Sequence, residues 1–281
     1  MGVKYLAVDL SEYQRGISFP RLKSEGVQGV ILRGGDGSYC DKCFETFYAQ
    51  AKANGLPVGA YWFSRAKTVA DAEAEAERFY DRCLAGKTFE LPIYLDCEAD
   101  SQLRIGKRAL TDVIKAWSAW LVAKGYLCGV YSTANWFRNY MYFDELADLE
   151  IWVAQWSRRA PNIRYGMWQF GGETNLLRDK HIAGYVVDQN YMVVDYAKIT
   201  KGEGLNGFYA PNEGETEVEE MTRYHTFDEV PDWAKPEIKE LMDAGALRGD
   251  EKGDLNLSDD LMRAIIINKR YTESRGCCKG M

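Results

Sequence analysis

"LPIYLDCEAD", Leu91–Asp100, is a short apolar run that ends in three acids. Its Leu, Ile and Tyr suit a buried strand, and a strand sends alternate side chains to the same face. Tyr94, Asp96 and Glu98 therefore share one side, with Leu95 and Cys97 on the other. Neighbours in that set stand roughly 6.5–7 Å apart along the chain. Two carboxylates at the end of a buried strand repel each other and lose solvent. Both effects raise at least one pKa, so one acid stays protonated beside one ionised.

Working outward, seven further runs have the same strand-like texture. They cover residues 4–10, 27–34, 56–63, 126–132, 150–156, 165–170 and 186–192, which makes eight with 91–98. Helix-like stretches separate the early ones. "DKCFETFYAQAKANG" (41–55) stops at Gly55, "TVADAEAEAERFYDRCLAG" (68–86) opens at a Thr cap, and "ALTDVIKAWSAWLVAKG" (109–125) ends at Gly125. Trp117 and Trp120 lie at helical spacing and are assigned to the layer between helix and sheet. Strand, helix, strand implies a parallel sheet, and eight repeats imply closure into a (β/α)₈ barrel. The links late in the series are short, and one reads equally as a hairpin. An open doubly wound sheet is the competing architecture. The first strand is followed by "DLSEYQRG", which carries no glycine-rich phosphate loop, and this weighs against that sheet.

The chain has 281 residues, a length that suits one large barrel plus a small module. A net charge of −7 without a basic run argues against nucleic acid as a partner. The opening "MGVKYLAVDLSEYQ" reads as neither signal peptide nor membrane span. The expectation is a protein made in the cytoplasm of a host cell without a signal peptide, acting elsewhere only after release and without inserting into a membrane. Cys97 and Cys128 sit in apolar runs and read as buried thiols. Cys40 and Cys43 form C-x-x-C, but with only two His in the chain a zinc site is not expected. A local disulfide or two idle thiols remains for that pair. No metal and no cofactor is implied.

The texture changes after Asp195. Residues 201–222 are glycine-rich and acidic and read as a linker between a barrel at 1–200 and a small helical module at 223–281. "AKPEIKELMDAG" and "SDDLMRAIIINKRY" are its two expected helices, the second capped by Ser258. A segment this small suits a binding or assembly role better than an enzyme site.

In such a barrel the site lies at the C-terminal strand ends. Read in order, those ends supply Asp9, Arg33, Tyr61 with Phe63, Asp96 with Glu98, Tyr131, Gln155 with Trp156, Gln169, and Asp188 with Asn190. No Ser-His or Cys-His pair fits there, which disfavours nucleophilic acyl transfer. Acids with aromatics are what glycoside cleavage needs. One carboxylic acid protonates the leaving oxygen, carboxylates stabilise the positive sugar centre, and aromatic faces carry the rings. Tyr61, Tyr131 and Trp156 would also serve as barrel packing, and Arg33 as an ion-pair partner that keeps a cleft acid ionised.

The stretches "AVDLSEYQRGISF", "VILRGGDG", "GLPVGAYWFSRA", "PIYLDCEAD", "GVYS", "IWVAQW", "MWQFG" and "VDQN" resemble, in order, the motifs of glycoside hydrolase family 25, the Chalaropsis-type lysozymes common among bacteriophage endolysins. The resemblance covers roughly residues 4–195. It implies a (β/α)₈-like barrel with irregular late helices, and cleavage of the β-1,4 bond between N-acetylmuramic acid and N-acetylglucosamine in bacterial peptidoglycan. It gives Glu98 the role of catalytic acid. Asp96 becomes the carboxylate that orients the 2-acetamido group, and Asp9 and Asp188 become supporting acids. Tyr61, Phe63, Arg33, Tyr131, Gln155, Trp156 and Gln169 are then the substrate-binding candidates. One departure is Asp36 in "RGGDG", where the family often has Glu.

Two acids on one strand face do not obviously flank a sugar from opposite sides, so retention assisted by the acetamido group is the preferred mechanism. Inversion through water activated by Asp9 or Asp188 is its competitor. A chitinase-like barrel and a non-catalytic wall-binding barrel are the rival functions. The tail, "FDEVPDWAKPEIKELMDAGALRG", resembles a single S-layer-homology unit, although "SDDLMRA" replaces the usual T-R-x-E. That resemblance implies a wall-associated or self-associating module, with a homo-oligomer as one consequence.

Overall fold

The computed structural model describes residues 4–208, 223–249 and 253–258, together with Met262 and Ile266. The chain divides into two compact units, Met1–Pro211 and Asn212–Met281.

In the first unit eight strands close into a barrel: β1 (Tyr5–Leu10), β2 (Gly29–Asp36), β3 (Val58–Phe63), β4 (Ile93–Asp96), β5 (Cys128–Thr133), β6 (Glu150–Ala154), β7 (Met167–Gly171) and β8 (Asp188–Met192). Each of β1 to β6 pairs in parallel with the next, and β8 closes the ring between β7 and β1. The early links hold α1 (Phe19–Ser24), α2 (Phe44–Ala53), α3 (Val69–Phe79) and α4 (Lys107–Val122). Thr68 caps α3, its hydroxyl accepting the Asp71 amide at 3.1 Å. Only α5 (Ala134–Asn139) follows β5 among the barrel links with an α-helix, so the late links are irregular.

The strictly parallel barrel needs one correction. β8 runs antiparallel to both of its neighbours. The link from β7 carries no crossover helix, only a small hairpin, His181–Ile182 with Tyr185–Val186. Parallel neighbours need a long crossover, whereas antiparallel ones need only a turn or loop. The reversal has a direct consequence for the mouth: it is the first residue of β8, Asp188, that stands level with Asp9 near the end of β1.

Alternation along the strands builds two layers. Ala7, Ile31, Tyr94, Tyr131, Trp152, Met167 and Met192 fill the barrel interior. Val8, Leu32, Leu95, Val130, Val153 and Trp168 face outward to the surrounding helices and loops. Trp117 is fully buried in that outer layer, stacked on Phe79 at 6.1 Å, and Trp120 meets Tyr80 edge-on at 5.7 Å. Cys40, Cys43, Cys83, Cys97 and Cys128 are free thiols, so the C-x-x-C pair is not a disulfide.

The barrel also runs further than its composition indicates. Residues 201–208, read above as the start of a linker, pack on the unit, and α6 (Tyr196–Gly202) leads into them. Asn206 is fully buried with φ +57°. Its amide group donates to Phe89 O (3.1 Å) and Leu91 O (2.9 Å) and accepts from Leu127 N–H (2.7 Å), while its backbone N–H donates to Gly125 O (2.9 Å). Asn tolerates this left-handed backbone better than most residues, and its four bonds repair the ends of β4 and β5. The rest of the expected linker, 209–222, lies outside the described residues.

In the second unit one helix, α7 (Lys235–Asp243), matches the first expected helix. Ile238 packs with Val230, Ala234, Leu255, Leu257, Met262 and Ile266 in a small core. Ser258, the expected cap of the second helix, lies in a two-residue strand, and the turn it would cap falls outside the described residues. Ser258 pairs with Arg223 in a two-residue antiparallel bridge beside Leu257–Tyr224. Most of the second expected helix lies outside the described residues. Among the described residues no helix is long and apolar enough to cross a membrane.

Candidate active site

Three elements bring the four acids together at one mouth. Asp9 near the end of β1 lies directly opposite Asp188 at the start of β8, and Asp96 closes β4 with Glu98 two residues on. Asp9 is buried, and one of its oxygens accepts from Asn190 Nδ2 (2.9 Å) and Gln169 Nε2 (3.2 Å). Burial raises its pKa to about 6 against the pull of those donors. Asp188 is pushed up further, to about 8, by burial and then by the charges of Asp9, Glu98 and Glu173. The two carboxyls hydrogen-bond each other. Burial and mutual repulsion therefore let the pair hold a proton to higher pH than free carboxylates would.

The β4 pair is different. Burial lifts Asp96 well above the carboxylate range, and Glu98, Asp9 and Asp36 push it the same way. Its Oδ1 is buried with no hydrogen-bond partner. Glu98, half-buried, is raised by burial and by Asp9. Its neighbours are pinned. Cys97 N–H donates to Tyr131 O (2.9 Å), Ser132 Oγ donates to Cys97 O (2.6 Å), and the Cys97 thiol reaches Gln102 Oε1 at 3.6 Å. Four acids this close cannot all ionise, and a retained proton is what acid catalysis requires.

The aromatic and amide candidates separate on inspection. Gln169 is buried and central: its Oε1 accepts from Tyr131 OH (3.0 Å) and Trp156 Nε1 (3.1 Å), while its Nε2 holds Asp9. Trp156 is 44% exposed, an open ring at the rim. Tyr61 and Phe63 point inward and are half-buried, Tyr61 meeting Trp152 edge-on at 5.9 Å. Tyr131 packs on Trp152 at 4.5 Å.

Two candidates stand elsewhere. Gln155 follows β6 on its outward phase, since Trp152 and Ala154 take the inward positions. Its amide instead ties the following turn, donating to Ser157 Oγ (3.2 Å) and Arg159 O (3.0 Å). Arg33 is engaged by Asp41 (2.8 Å) and Glu12 (3.2 Å), not by a cleft acid. It acts on Asp96 only through its field. Asp36 is likewise taken, in a two-pronged pair with Arg65 at 2.6 and 2.8 Å, and the Arg65 guanidinium lies 4.4 Å over Phe63.

Three site residues were not assigned by sequence. Asn190, recognised only as a strand end, bridges Asp9 and Trp152, accepting from Trp152 Nε1 at 2.8 Å. Trp152 itself forms the aromatic floor. At Gly172 a Cβ would collide with the Asp188 carboxyl and stand 3.1 Å from the Trp156 ring, so only glycine lets the backbone pass there. The pairing of inward positions on β6 and β8 is the signal that would have found the first two.

A model of the glycosyl hydrolases family 25 matches residues 8–177. An autolytic lysozyme of Clostridium acetobutylicum is 27% identical over 159 residues, 56% of this chain and 46% of that protein, so the chain spans about half the length of that relative. Among solved structures, the CTP1L endolysin superposes with a TM-score of 0.61 at 27% identity, over 71% of this chain and 70% of that one. A bacterial lysozyme from Streptomyces coelicolor gives a TM-score of 0.61 at 22% identity, over 71% and 96%, a likeness of fold. With the family model covering more than half of its residues, this chain belongs to glycosyl hydrolases family 25.

Proposed function

We propose that the barrel cleaves the β-1,4 bond between N-acetylmuramic acid and N-acetylglucosamine in peptidoglycan, with Glu98 as the acid. The observation that carries this reading is the Asp96–Glu98 pair, two carboxyls with raised proton affinity and one buried Asp96 oxygen left without a partner. An unpaired buried acceptor is costly unless a ligand completes it. The N–H of a 2-acetamido group is a donor of the required kind. Asp96 accepts that N–H and turns the acetamido oxygen toward the anomeric carbon. The oxygen attacks as Glu98 delivers its proton to the leaving oxygen. Water then opens the resulting ring, with Glu98 taking a proton back. Asp9, Asp188 and the amides around them hold the floor and keep negative charge beneath the developing positive sugar. Trp156 and Phe63 offer faces for the neighbouring rings.

The second unit is the proposed wall-binding or assembly module, on its resemblance to an S-layer-homology unit. The test of the main reading is digestion of purified peptidoglycan, borohydride reduction and mass spectrometry. Reduced muramic acid ends, lost with Glu98→Gln, are expected. Reduced glucosamine ends would put the cut at the other bond, and intact glycan would leave a binding protein.

A further inference from the structure

Among the described residues Tyr13 is the most exposed large aromatic side chain of the barrel unit, at 79%. A single exposed tyrosine ordinarily means nothing. This one is built in. It sits in a one-turn helix, Glu12–Gln14, just beyond the end of β1 and therefore on the rim of the mouth. Ser11 and Gln14 form a reciprocal cap around that turn, with Ser11 N–H donating to Gln14 Oε1 at 3.0 Å. Asp41 accepts the Glu12 amide at 3.0 Å. Beneath the ring lies the Arg33 guanidinium, 5.1 Å from the ring centre. Arg33 is only 12% exposed and is gripped by Asp41 and Glu12. Glu12 is gripped in turn by the Tyr39 hydroxyl, at 2.7 and 2.9 Å from its two oxygens. Tyr39 is the second exposed ring of the group, at 38%.

Three charges and two phenols thus make one rigid cluster, and no apolar core needs it. Burying an ion network to brace a ring that faces water is poor economy for stability alone, because exposed and half-buried ion pairs contribute little. It is sound design for a flat ligand. A ring fixed from behind by a cation loses little freedom on stacking. Glu12, part-exposed in the same one-turn helix, adds a carboxylate acceptor for hydroxyl groups. Arg33 also faces inward from β2, close enough to influence Tyr61 and Asp96, so the cluster continues the wall of the cleft outward.

The geometry points to Tyr13, with Tyr39 beside it, as a stacking platform for a sugar of the glycan strand remote from the bond that is cut. This rests on the muramidase reading for the identity of the strand. It adds a specificity for long strands over short ones, since only a long strand can occupy the reacting centre and the Tyr13 rim together.

The test is calorimetric titration of the full chain carrying Glu98→Gln, which silences cleavage, with stem-free glycan strands as probes. A disaccharide and a long strand are compared. Tyr13→Ala is expected to weaken the long strand about 3- to 10-fold and the disaccharide less than about 2-fold. Tyr13→Phe keeps the ring and is expected to keep the long-strand affinity. Two results would overturn the proposal: long-strand affinity unchanged in Tyr13→Ala, or both lengths weakened alike. Because the readout is binding, it is independent of turnover, and failure of the muramidase reading shows separately in the digestion of peptidoglycan.

Discussion

At the seam of β8 and β1, Asp9 has two amide donors and a carboxyl neighbour hydrogen-bonded to it. On β4, Asp96 keeps a buried oxygen with no partner, and Glu98 reaches half into solvent. Both pairs are acids under burial and repulsion. The first is internally complete and the second is not. A buried polar group that the protein leaves unfinished is finished by something else, and in a cleft that something is substrate. The comparison assigns preparation to the seam pair and reaction to the β4 pair.

Substitutions should respect that division. Glu98→Gln keeps shape and removes the proton, so kcat should fall ~10²–10⁴-fold. Asp96→Asn should cost ~10²–10³-fold in kcat with KM little changed, because it withdraws a group needed as the positive centre develops. Steady-state kinetics on solubilised glycan reads both. If Asp9→Asn proved as damaging as Asp96→Asn, the division would break.

Gly172→Ala tests the seam through packing. Its methyl would displace Asp188 and crowd Trp156. Overpacking of this kind costs about 1–3 kcal/mol, measurable by denaturant unfolding, and should lower kcat/KM in parallel.

Asp188 links the seam to pH. Its folded pKa of about 8 exceeds the unfolded value, so between the two the folded state binds more protons. Stability must fall as pH rises through that window, since the folded protein resists releasing the proton. Asp188→Asn removes the penalty. A gain in Tm of roughly 3–6 °C at pH 8, for about 1–2 kcal/mol, and little gain at pH 4 are expected from thermal scans. A gain equal at both pH values would show that burial of charge is not its source.

The smallest effect separates two glutamines. Gln169→Leu strips Asp9 of a donor and leaves Tyr131 and Trp156 without their acceptor, at about 1–3 kcal/mol. Gln155→Ala loosens only a surface turn and should stay within about 0.5 kcal/mol with activity retained.

Much of this was legible in the chain. Alternation at Leu91–Asp100 gave Asp96 and Glu98 one face, and the strand ends supplied Asp9, Gln169 and Trp156 to one mouth. The reversal of β8 was legible only as a short late link that reads equally as a hairpin, with nothing to say which strand turns. A period of two is the same read in either direction, so the pattern around Asp188 carries no sign of strand polarity. The engagement of Arg33 by Asp41 and Glu12 was hidden because a charge pattern does not name its partner across loops. Composition misled at 201–208, where glycines and acids suggested a linker while one residue, Asn206, stitches the chain to the barrel.

The most direct measurement is the pH dependence of kcat/KM on peptidoglycan glycan, for the unmutated chain and for Glu98→Gln. An acid catalyst must be protonated, so activity falls as pH rises through its pKa. With Glu98 raised by burial and by Asp9, the alkaline limb should lie clearly above the ordinary Glu value of about 4.3, and Glu98→Gln should lose that limb with its activity. Apparent values will belong to the acid cluster as a whole. An alkaline limb in the ordinary carboxylate range, or a Glu98→Gln variant that keeps the profile, would contradict the account.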